Sequence, residues 1–471
     1  MTQTPTTPAP NDSVVFQNAY SPYVAVAVPG ADGRITPSEL LDRIRIQGRL
    51  AEGQVGAAGQ VNYILVIDVS ASMGEDGKLM GAIAGAIEGL HAVPETARVG
   101  VVAFSDGAEV VASLDFASES HRARAEAAIR QLEVVGGTQM SWGLERARDM
   151  FVRAGCQGQS NAVIVLTDGD NNDKPDKPRL EAIIPTCVEV FQAEALGYGI
   201  DWNEDKLSKI VRDLRGPNVP QLVRGPDQAG KFFRDLIDRA ARKTITDLRL
   251  EIETRLMGEL VQVMQMVPHQ EDLTDRGRKV LVDQEDDIWA IEIPFGAFGA
   301  DETRDIVLRW QVKNLQAGQS RILADIRVRY TLGGETLTAV AQALPGQDAA
   351  QLTGARLQPH QAAAIWTNEM AKWSAQVPEV DFYTRQTAIT APLLDGAEAI
   401  RQGDVRKATD LLQTAYDAAK AAGATAQLSQ IETLVRPRAD GTVELRVDVD
   451  EATIKEARLK ATTSTMMSTD E

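Results

Sequence analysis

Two hydrophobic periodicities divide the chain. Between 61 and 243, short apolar runs alternate with segments whose apolar residues recur at helical spacing. That alternation predicts an α/β unit with a doubly wound, mostly parallel sheet. The expected strands are Val61 to Val69, Arg98 to Phe104, Glu109 to Ser113, Ala162 to Leu166 and Ala193 to Gly199. Helices are expected at Leu79 to Leu90, Ser120 to Leu132, Ser141 to Arg153 and Gln228 to Ala241, the last capped by Asp227. The Ala- and Gly-rich Leu79 to Leu90 can pack closely on the sheet, whereas Glu145 and Asp149 read as solvated.

After Lys243 the period becomes two. Leu248, Leu250 and Ile252 share a strand face, followed by candidate strands Lys279 to Val282, Ile288 to Ile293, Ile306 to Val312, Ile322 to Tyr330 and Thr336 to Ala341. Short strands separated by turn signals predict an antiparallel β-sandwich over 244–350. A C-terminal helical region follows over 351–437, with Trp366 and Trp373 on one helix face, then a strand at Val443 to Val449 and a short helix over 438–460. The Thr- and Pro-rich residues 1–13 and the hydroxyl-rich tail 461–471 read as disordered.

Three predicted turns carry oxygen donors. The strand ending Val66-Ile67-Asp68 continues Val69-Ser70-Ala71-Ser72, Gly136-Gly137-Thr138 precedes a helical stretch, and Ala162 to Leu166 runs into Thr167-Asp168-Gly169. Hard divalent cations prefer such oxygen ligands, and in open α/β sheets ligands bind beyond the carboxyl ends of the strands. Taken singly, Asp68 and Asp168 also read as polar caps where strands turn into helices.

The ordered set Asp68, Ser70, Ser72, Thr138, Asp168 resembles the metal-ion-dependent adhesion site of von Willebrand factor type A (VWA) domains, in proteins of the bacterial intracellular type. The resemblance implies direct ligation by Ser70, Ser72 and, in some states, Thr138. Asp68 and Asp168 would act largely through water. The metal would be Mg²⁺, with Mn²⁺ or Ca²⁺ as alternatives, and a partner's Asp or Glu would complete its shell. It further implies that 14–60 contributes to the sandwich. The Thr-rich tail would be a phosphorylation site for a kinase or a phosphothreonine-reading module.

Composition narrows the partners. A net charge of -18 over 471 residues disfavours nucleic acid and anionic lipid. No run approaches the roughly 18 apolar residues of a membrane span, and the first residues lack the charge and apolar stretch of a secretory signal, so a cytoplasmic protein is expected. Cys156 and Cys187 lack metal-site spacing, and the four histidines are scattered.

The expected function is a metal-dependent protein-binding scaffold or adaptor, not an enzyme. One alternative is the VWA partner subunit of a separate AAA+ motor or chelatase-type complex. A Mg²⁺-dependent phosphohydrolase ranks lower, because Ser70 stands where the DxD pattern of such enzymes has its second acid. Asp170, Asp173 and Asp176 read as a solvated acidic loop. Gly225 to Phe232 satisfies GxxxxGK, but Phe232 replaces the required Ser or Thr, so it reads as a turn into a helix.

Overall fold

The computed structural model describes residues 13–27, 36–49, 61–169, 173–255, 257–283, 288–299, 302–342, 351–352, 355–375 and 377–463. Its first layer is a six-stranded sheet in the order Ala108–Phe116, Arg98–Phe104, Asn62–Asp68, Asn161–Thr167, Gln192–Tyr198, Gln221–Val223. All neighbours run parallel except the antiparallel edge strand Ala108–Phe116. Asn62–Asp68 and Asn161–Thr167 are buried along their whole length. This explains their near-continuous apolar sequence, since a parallel strand covered on both faces has no solvent side to mark with polar residues.

Helices Lys78–Ala92, Glu119–Ile129 and Pro226–Ala241 pack one face of this sheet. Met140–Arg153, Asp173–Cys187 and Glu204–Asp213 pack the other. The small residues of Lys78–Ala92 serve mainly a helix pair: a Cβ at Gly85 would stand 2.7 Å from that of Ala229, on Pro226–Ala241. Pro226–Ala241 is capped by Gly225, with Pro226 at its first position, not by Asp227. Proline fixes the helical φ where no N–H partner is needed. The GxxxxGK stretch is therefore the start of a helix, and Phe232 packs against the core.

The second unit is a β-sandwich. One sheet runs Glu271–Asp272, Gly258–Val267, Thr303–Val312, Ser38–Gly48, Val14–Tyr20, Val340–Gln342. The other runs Arg278–Asp283, Ile288–Gly299, Lys243–Thr254, Ser320–Leu332, Gln361–Thr367, Tyr23–Ala25, with Glu335–Thr338 beside Ser320–Leu332. Segments on both sides of the α/β unit thus build one sandwich. Gly258–Val267 is a strand that the alternation analysis did not single out.

Gln361–Thr367 overturns one expectation. Its Ala-rich sequence suits a helix, but it pairs with Ser320–Leu332 on one side and Tyr23–Ala25 on the other. Tertiary pairing here outweighs propensity. Trp366 is consequently buried in the sandwich core, while the half-exposed Trp373 sits on the separate short helix Met370–Trp373. The two tryptophans share no helix face.

The third unit contains Pro378–Arg401, Val405–Ala421, Thr425–Ile431 and Glu451–Thr462, with a small hairpin of Val435–Pro437 and Val443–Leu445. Val443–Leu445 is shorter than the expected Val443 to Val449. Pro378–Arg401 is tied to the sandwich through Asp305, which accepts from Tyr383 Oη and from Arg45 at 2.8 and 2.7 Å. Ala461 and Thr462 belong to the last helix and Thr463 bridges His269, so these three residues are ordered rather than part of a loose tail. The rest of the tail to which the phosphorylation expectation applies, residues 464–471, lies outside the described residues, as do 1–12.

Candidate metal centre

The parallel sheet ends in a crevice between its two central strands, where the connections leave to opposite faces. Asp68 closes Asn62–Asp68 and is fully buried. Its Oδ1 accepts from Ser70 N at 2.8 Å and its Oδ2 from Thr167 Oγ1 at 2.5 Å. Burial pushes its carboxyl up to about 6, against the lowering effect of Thr167 and Ser70.

Ser70 and Ser72 lie where the strand enters the short 3-10 turn Ala71–Gly74. Their Oγ atoms are 3.2 Å apart, and Ser72 Oγ donates to Asp168 Oδ1 at 2.8 Å. Asp168 leaves the adjacent strand Asn161–Thr167 and is also fully buried. Thr138 comes from the turn before Met140–Arg153 and is buried. A Cβ added at Gly169 would stand 3.5 Å from Thr138 Oγ1 and 3.7 Å from Ser72 Oγ. All five side chains singled out from the sequence therefore line one crevice.

Backbone contacts fix the three loops to one another. Ala71 N donates to Gly136 O at 3.0 Å, Val135 N to Val69 O at 2.7 Å, and Gly137 N to Asp106 Oδ2 at 2.9 Å. Gly136 has φ 69°, and a side chain there would meet Asp106 Oδ2 at 2.6 Å, so glycine is needed both for conformation and for space.

Two partners escaped the sequence reading. Thr167 buttresses Asp68, and Lys78, the first residue of Lys78–Ala92, reaches into the crevice with only 5 % of its surface exposed. Its Nζ donates to Asp168 Oδ2 at 2.8 Å and Asp201 Oδ2 at 2.9 Å. Burial alone would lower the lysine; the two aspartates outweigh it and hold the ammonium charged.

The acidic loop is not simply solvated. Asp176 is fully buried and accepts from Ser141 N at 3.1 Å and from Ser141 Oγ, clamping Asp173–Cys187 to the helix that follows Thr138. Asp170 and the side chain of Asp173 lie outside the described residues. Glu145 and Asp149 are half-buried and engaged by arginines, Arg179 with Glu145 and Arg148 with Asp149 at 2.8 Å.

The donor chemistry fits a hard divalent cation. Neighbouring ligands of an octahedron stand about 3 Å apart around Mg²⁺ and up to about 3.7 Å around Ca²⁺, and the Ser70–Ser72 spacing of 3.2 Å falls within that window. Among the described residues no cluster of three or more His, Cys, Asp or Glu is placed to hold a metal. The crevice offers hydroxyls backed by two carboxylates instead.

Comparison with known proteins agrees with this architecture. Residues 63–171 match the family described as von Willebrand factor type A domain. A solved von Willebrand factor type A protein from Catenulispora acidiphila superposes with a TM-score of 0.81 at 22% identity, covering 97% of this chain and 98% of that one. The ArnB paralog VWA2 from Sulfolobus acidocaldarius gives 0.54 at 13% identity, with 95% and 98% coverage. An uncharacterized protein of Synechocystis is 26% identical over 274 residues; the match spans 57% of this chain and 61% of that relative's length. No helix among the described residues is long and apolar enough to cross a membrane. The chain therefore carries a von Willebrand factor type A domain, with its candidate metal crevice at the carboxyl end of the parallel sheet.

Proposed function

We propose that the protein is a cytoplasmic, metal-dependent adaptor that binds an acidic side chain of a protein partner through a divalent cation, with Mg²⁺ as the resident ion and Mn²⁺ or Ca²⁺ as substitutes. Ser70, Ser72 and Thr138 would ligate the ion directly. Asp68 and Asp168 would act through water. The observation that carries this reading is the hydrogen bonding of the two carboxylates: every one of their four oxygens already accepts from Ser70 N, Thr167, Ser72 or Lys78. A cation held mostly by neutral hydroxyls keeps much of its charge, and a partner's carboxylate is the natural group to complete its shell.

The same arrangement supports binding over catalysis. The chemistry the ion supplies is electrostatic attraction for an anion. The protein's own residues orient the hydroxyls, hold the ammonium of Lys78 beside Asp168, and leave Ser70 rather than a second acid two positions after Asp68. Titration calorimetry with Mg²⁺, Mn²⁺ and Ca²⁺ tests the site directly. Saturable binding by wild type, lost in a Ser70→Ala/Ser72→Ala double variant of unchanged circular dichroism, is expected. Equal binding by both proteins would overturn it.

A further inference from the structure

Lys78 is an unusual neighbour for a cation site. A buried ammonium beside two carboxylates cancels part of the charge that would attract a metal, and burying it costs desolvation energy unless it is well paired. The lysine is paired on both sides, by Asp168 at 2.8 Å and by Asp201 at 2.9 Å. The two partners differ: Asp168 is fully buried, whereas 62% of the Asp201 side chain is exposed.

Counting charges shows the effect. In the crevice Asp68 and Asp168 supply two negative charges and Lys78 one positive charge, so a bound divalent cation leaves the buried group with one unit of positive charge. Without the lysine the loaded crevice would be neutral. We propose that Lys78 sets the ligand specificity of the site, weakening its hold on the bare cation and making the loaded crevice cationic, so that an incoming carboxylate is favoured. This rests on the metal-dependent reading above. Lys78 touches neither cation nor partner in this scheme; it acts through Asp168 as a positioning and charge-setting residue.

The two affinities must then move in opposite directions, which a merely structural defect would not produce. A unit charge a few ångströms from a site of intermediate dielectric changes an equilibrium constant by about tenfold or more. With Mn²⁺ as probe, enhancement of water-proton relaxation reports the protein-bound ion, and loss of that enhancement as acetate displaces coordinated water reports the carboxylate. Lys78→Met should bind Mn²⁺ about tenfold more tightly, and its Mn²⁺ complex should bind acetate about tenfold more weakly. Asp201→Asn, at an exposed position that folding tolerates, should shift both in the reverse sense and by less, owing to solvent screening. If Lys78→Met fails to fold, Asp201→Asn decides alone. Variants that leave both affinities within twofold of wild type, or shift them in the same direction, overturn the role of Lys78 while leaving the metal reading standing. A wild-type protein that binds no Mn²⁺ overturns both.

Discussion

Lys455 Nζ stands 4.4 Å from the centroid of the Trp202 ring and donates to the carbonyls of Trp202 and, at 2.8 Å, Ile200. The two residues join the last helix, Glu451–Thr462, to the loop that carries Asp201, and Asp201 in turn holds Lys78. Around this contact Arg401 and Arg458 both engage Glu204, and Arg458 reaches Asp205 at 2.8 Å. The helical region is thereby pinned to the VWA domain one residue away from a side chain that contacts the candidate metal site.

Lys455→Met should therefore lower global stability by about 1–3 kcal/mol, the usual cost of leaving buried hydrogen-bonding groups without their partner. Chemical denaturation checks the magnitude. Hydrogen exchange should show faster opening at 451–462 and 200–203 than elsewhere.

Asp42 is buried at full depth in the sandwich, and among the described residues neither carboxylate oxygen has a hydrogen-bond partner. Burial raises its carboxyl well above the usual range, with Arg43 opposing. A raised native value means that its contribution is most favourable below the ordinary carboxylate range and is lost as pH climbs through the raised value. Asp42→Asn should accordingly gain stability relative to wild type as pH rises from 4 to 7. Urea titrations across that range measure the difference, and a constant or shrinking gap contradicts it.

The metal crevice has its own pH dependence. With Asp68 pushed up to about 6 by burial, protons compete with a cation for its charged form. In the metal-free protein, the stability that this raised carboxyl contributes is present below the ordinary carboxylate range and lost as pH rises toward about 6. The cation should offset that loss, so Mg²⁺ should raise the thermal midpoint more at pH 7.5 than at pH 5. An Asp68→Asn variant should show no such dependence.

Gly85 makes a steric prediction. In an ordinary helix Gly→Ala stabilises by up to about 1 kcal/mol, but here the new methyl would press on Ala229 at 2.7 Å and approach its backbone carbonyl carbon at 3.2 Å. Overpacking of this kind costs about 1–3 kcal/mol. Gly85→Ala should thus destabilise, as read by thermal unfolding.

The legible part of this protein is the part whose chemistry sits on neighbouring residues. Asp68, Ser70 and Ser72 follow one strand end, Asp168 follows another, and strand direction brings both to the same edge. Lys78 gave no comparable signal: a lysine at a helix start looks solvated until the loop bearing Asp201 folds back over it. Asp176 was misread for the same reason, since its partner Ser141 lies 35 residues away. At Gln361–Thr367 the seven-residue spacing of Trp366 and Trp373 fits one helix face, and nothing in that stretch encodes the two strands waiting on either side.

The most direct test of the adaptor account is a quantitative affinity capture from native lysate, comparing wild type, wild type with EDTA, and the Ser70→Ala/Ser72→Ala variant. Partners retained by wild type and lost in both other arms are predicted, with capture restored by adding Mg²⁺ in excess of the chelator. The same partners recovered in all three arms would contradict the account, placing recognition on the sandwich or the helical region instead of the metal crevice.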